Sequence, residues 1–96
     1  MDKYVEKFPI NSFLLTGPRY FQDVIRTINI HDTLSMTFQS NEYDNSAIVI
    51  KKNGIACGHV PQNSKEKIAR FVPSQVKVID KRLADPYVWN LRVEVI

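Results

Sequence analysis

The chain has one cysteine in 96 residues. No internal disulfide can form, so the fold needs no oxidising compartment. The three glycines are too few and too scattered for a Gly-rich phosphate loop. His31, His59 and Cys57 supply too few ligands, at no familiar spacing, for a structural zinc site. No apolar run approaches the ~20 residues of a membrane span. The opening Met1-Asp2-Lys3-Tyr4-Val5-Glu6-Lys7 lacks the long apolar core of a signal peptide. Repeats, low-complexity tracts and interdomain linkers are missing too. These absences lead us to expect an intracellular protein, nuclear or cytoplasmic, neither secreted nor held in a membrane.

What is present is enough for one domain with a modest core: 44% of the residues are hydrophobic. Residues 1–11 read as a mixed lead-in and 12–96 as the domain. The net charge of +3 and the sequence pI near 9.1 are mildly basic. Such a charge suits a polyanionic partner through counterion release, and equally suits plain solubility.

Most of the chain reads as short strands. Phe13-Leu14-Leu15-Thr16 is a strand stopped by Gly17-Pro18. Phe21, Val24, Ile25 and Ile28, three and four apart, predict one or two helical turns. Thr33 to Gln39 alternates without a break, placing Leu34, Met36 and Phe38 on one half-buried face. Ala47–Lys52 and Ile55–Val60 flank Asn53-Gly54, the strongest hairpin signal in the chain. After Pro61, Asn63 or Ser64 can cap a helix over residues 65–72, with Ile68, Ala69, Phe71 and Val72 inward and Pro73 beyond its end. Residues 76–81 and the alternating Val88–Ile96 complete the set. Five or six short antiparallel strands with one late helix suit a small, partly closed β-barrel.

Catalytic chemistry finds little support. Cys57 and His59, two apart on a strand, share a face in principle. Cys57 nevertheless lies in an apolar strand, where a buried core thiol is the natural reading. No triad or metal-carboxylate cluster is visible, so neither an enzyme nor a cofactor is expected. Other residues suit the gripping of a small polar object. The polar turn Asn41-Glu42-Tyr43-Asp44-Asn45-Ser46 places a ring beside a carboxylate; Asp44 either accepts backbone N–H bonds there or takes a ligand. In Arg19-Tyr20-Phe21 the rings are either core or a stacking surface beside a phosphate-binding guanidinium. Tyr87 and Trp89 share a face, and one of them should enter the core.

Leu15-Thr16-Gly17-Pro18-Arg19-Tyr20-Phe21, then Asn41 to Ile48, then Gly58-His59-Val60-Pro61 followed by a helix, occur in an order that resembles the HIRAN domain. This small DNA-binding module is found in SNF-type translocases that reverse replication forks, and also as stand-alone proteins. The resemblance spans roughly residues 12–96. It implies a mainly β, OB-like antiparallel barrel of five or six strands with one or two short helices. It further implies a role in DNA repair or replication, in which the free 3′ end of single-stranded DNA is held in a pocket. Carried over by position, Tyr20 and Tyr43 would flank the terminal base and Asp44 would accept the 3′-hydroxyl hydrogen bond. Arg19 and His59 would meet phosphates, Asn41 would fix the turn, and Tyr87 would add an aromatic wall. A translocase or nuclease would be the protein partner. Three positions depart from the family pattern: Glu42 for proline, Ser46 for asparagine, and Gln62 for Arg or Lys. Each reduces attraction for phosphate. Glu42, Gln62 and the modest charge motivate an alternative, a protein-interaction or homodimerisation module on the same barrel, pairing through an exposed edge such as Val88–Ile96.

Overall fold

The computed structural model describes residues 8–39, 47–84 and 87–96. Six strands follow in chain order: β1 (Ser12–Leu14), β2 (Thr33–Gln39), β3 (Ala47–Lys52), β4 (Ile55–His59), β5 (Ser74–Ala84) and β6 (Val88–Val95). A 3₁₀ turn over Pro18–Phe21 leads into α1 (Gln22–Ile25), between β1 and β2. Between β4 and β5 run a 3₁₀ turn (Gln62–Ser64), α2 (Lys65–Ile68) and a second 3₁₀ turn (Ala69–Phe71).

The strands form one antiparallel sheet in the order β1-β6-β5-β2-β3-β4. The chain just after β1 then reaches the far strand, where Thr16 and His59 form an isolated antiparallel bridge. The sheet is therefore rolled until its two ends touch at a single bridge, leaving the ladder incomplete. This is the mainly β, partly closed barrel that the strand count anticipates, with the two short helices and OB-like form that the resemblance implies.

The interior follows from strand alternation. Leu34 and Met36 of β2, Ile48 and Ile50 of β3, Val76 and Val78 of β5, and Leu91 and Val93 of β6 are buried together. Ile25 and Ile28 after the first helical turn and Ile68 of α2 close the core. Full burial of each such side chain contributes roughly 1.5–3 kcal/mol. The Asn53-Gly54 turn has φ 50° and 82° and joins Lys52 directly to its cross-strand partner Ile55, the geometry of a two-residue hairpin.

Several expectations are corrected. The helix anticipated over 65–72 is α-helical for one turn and 3₁₀ on either side; Ser64 stands at its N-cap without a capping bond. The strand anticipated over 76–81 runs from Ser74 to Ala84. Phe38 shares the inward face of Leu34 and Met36 and pairs with the buried Ile48, yet it is 50% exposed, because the β5 ladder pairs β2 only as far as Met36. Cys57 and His59 do not share a face. A bulge in the β3–β4 register leaves Cys57 as the extra residue, so it turns into the core while His59 faces outward. The Val88–Ile96 segment is not an edge: β6 lies between β1 and β5.

Candidate nucleic-acid interface

The seam is the best-organised surface feature. Thr16 N–H donates to the His59 carbonyl at 2.8 Å, and His59 N–H donates to the Thr16 carbonyl at 3.0 Å. The approach is close enough to require glycine beside it. A Cβ on Gly58 would lie 2.9 Å from Leu15 Cβ and Cδ1 and 3.3 Å from the Thr16 carbonyl oxygen. Gly17 follows in the left-handed region, φ 76°, which an L side chain resists. Its carbonyl accepts a bond from Tyr20 N–H at 3.2 Å, and Pro18, with φ preset, starts the 3₁₀ turn. The Gly-Pro punctuation thus reverses the chain immediately after the seam and presents Arg19 and Tyr20 next to it. Both side chains are exposed, Tyr20 at 79%. Phe21 turns the other way, packing on the core, and its ring lies 6.2 Å from that of His59, tilted by 49°.

Gln22 holds this turn to the barrel by imitating a strand residue. Its Nε2 donates to the Pro18 carbonyl at 2.8 Å and to the Trp89 carbonyl at 2.9 Å, while its Oε1 accepts from Trp89 N–H at 2.8 Å. Trp89 is the member of the Tyr87–Trp89 pair that packs against the core. Tyr87, in the β5–β6 turn with φ 72°, is 80% exposed.

His59 sits at the centre. Its Nε2 lies 2.6 Å from Gln39 Oε1, and burial lowers its pKa from the usual 6.5. At neutral pH the ring is uncharged. With Nε2–H given to Gln39, Nδ1 is left as an acceptor and becomes a donor on protonation. Cys57, behind it, donates to the Ile50 carbonyl, and burial pushes its pKa up to about 12. A thiol so held is no nucleophile at neutral pH.

Beside the seam opens a cleft of about 230 Å³ whose lining includes Thr16, Ala47, Ile48, His59, Gln62 and Lys65. Gln39 and Ala47, which flank residues 40–46, are cross-strand partners, and both border this end of the barrel. Asn41, Tyr43 and Asp44, with Glu42 and Ser46, lie outside the described residues. Of the remaining expected site residues, His59 lines the cleft and Arg19 and Tyr20 stand on the turn leaving the seam. Tyr87 does not line it. Sequence reasoning missed Lys65. Its Nζ donates to Gln62 Oε1 at 3.3 Å, and both residues line the cleft.

Among the described residues, no three His, Cys, Asp or Glu side chains group to hold a metal, and no helix is long and apolar enough to cross a membrane. No family model, curated protein or solved structure matches the chain.

Proposed function

We propose that this protein is a non-catalytic HIRAN-like module that holds the 3′-hydroxyl end of single-stranded DNA, in the service of a repair or replication enzyme. One observation carries the reading. The Thr16–His59 bridge joins two of the three resembling segments at one end of the barrel, where β2 and β3 flank the third. An exposed ring at Tyr20 and a guanidinium at Arg19 stand on the turn that leaves the seam, and the Lys65 ammonium lines the cleft beside it. Base stacking on one aromatic is worth about 1–3 kcal/mol, so few rings suffice to hold a nucleotide.

The terminal carboxylate role falls to Asp44. An ionised carboxylate only accepts hydrogen bonds, so it favours a hydroxyl and repels a phosphate, more strongly where water is partly excluded. A translocase or nuclease acting on the same DNA end is the proposed partner.

Fluorescence anisotropy of a 5′-labelled single strand with a free 3′ end tests the reading. Binding in the micromolar range or tighter, weakening as salt is raised, is expected. Tyr20→Ala and Tyr43→Ala should each weaken it about tenfold. Absence of binding at low salt overturns the proposal and leaves the interaction module as the reading to pursue.

A further inference from the structure

We infer that the groove between β2 and α2 carries the nucleotides behind the terminal one, with the Phe38 ring as a stacking platform for a base. This rests on the proposed function, since it needs a strand end in the His59 cleft.

Phe38 occupies a core-facing position. Leu34 and Met36, two and four residues before it on the same face, are buried, yet Phe38 keeps 50% of its surface exposed. An aromatic ring left open at an inward-facing position loses the burial that Leu34 and Met36 obtain. The ring lines a groove of about 350 Å³ together with Gln62, Lys65, Glu66 and Ala69. This groove and the His59 cleft share Gln62 and Lys65. Phe38 on one and Ile48 on the other are direct cross-strand partners. The two hollows are therefore neighbours that share Gln62 and Lys65.

The lining has the chemistry of a single-stranded nucleic acid. Phe38 offers a π face that accepts any base. Lys65 brings one cation to the stretch shared by both hollows, where a phosphate would pass. Glu66 repels phosphate, which directs the backbone toward the Lys65 side, and its carboxylate can accept from a base amino group. Ala69, with its small side chain, leaves the space that a base occupies.

The test is the dependence of affinity on oligonucleotide length. Labelled DNA with a free 3′-hydroxyl, as dinucleotide and as hexanucleotide, is titrated into wild type, Phe38→Ala, Phe38→Leu and Phe38→Trp. Leucine keeps apolar bulk at the site and removes the π face, so it guards against a variant that merely misfolds. In wild type the hexanucleotide should bind about tenfold more tightly than the dinucleotide. That gain should vanish in Phe38→Ala and Phe38→Leu, persist in Phe38→Trp, and leave dinucleotide affinity unchanged. An undiminished gain in Phe38→Leu overturns the platform while the end-binding reading stands. Absence of binding by wild type to either oligonucleotide removes both. Loss of dinucleotide and hexanucleotide binding alike in Phe38→Leu assigns the ring to the fold and also overturns the inference.

Discussion

Thr16 and His59 exchange two backbone hydrogen bonds, 2.8 and 3.0 Å long, across the two ends of the strand order. Single-bridge closure has a structural consequence. It ties the backbone of a candidate ligand contact, His59, to the chain that presents Arg19 and Tyr20 three and four residues later.

Gly58 is the most sensitive position at that seam. Alanine there places a methyl group 2.9 Å from Leu15, against a buried side chain and a backbone carbonyl that both resist displacement. Overpacking of this kind typically costs about 1–3 kcal/mol. Denaturant unfolding of Gly58→Ala should show that loss; unchanged stability would mean that the seam can relax freely.

Gln22 makes three hydrogen bonds to backbone groups, tying the Pro18–Phe21 turn to β6 through both polar groups of Trp89. Gln22→Ala leaves those backbone groups without their partner, at a cost of about 1–3 kcal/mol. Hydrogen exchange should accelerate at the Trp89 amide. Retained protection of that amide would contradict the clamp.

His59 gives stability a defined pH dependence. Burial lowers its folded pKa below 6.5, so the unfolded chain binds the proton more readily. Its contribution is therefore complete above the unfolded value and is lost as pH falls through about 6.5 toward the folded value. The denaturation midpoint should drop between about pH 7.5 and 5.5, less steeply in His59→Gln. A ring pKa above 6.5 by NMR titration would reverse the sign. DNA binding should respond oppositely, because protonated His59 offers phosphate a donor at Nδ1.

Strand alternation made β2 and β6 legible from residue types alone, and Asn53-Gly54 marked the β3–β4 hairpin because few other residues accept positive φ twice in succession. Gly17-Pro18 likewise told where the first strand reverses. Features set by tertiary contact were not legible. The bulge at Cys57 inverts the face of His59, and no local pattern announces it. Phe38 keeps the inward period of its strand but lies past the last β2–β5 pair, Met36 with Ser74. The clamp of Gln22 on Trp89 spans 67 residues. Lys65 stands at the start of the helix that the pattern predicts, and its place in the cleft lining is set by tertiary packing. The glycines beside Arg19, Tyr20 and His59 mark the tight backbone on which they stand, whereas Tyr87 has no place in the cleft lining.

Competition between two single strands that differ only at the last position, one ending in a 3′-hydroxyl and the other in a 3′-phosphate, tests end recognition most directly. The hydroxyl strand should bind wild type about tenfold or more tightly than its phosphorylated twin, and Asp44→Ala should erase the difference while keeping most of the affinity. Equal affinity of wild type for the two strands would contradict the reading.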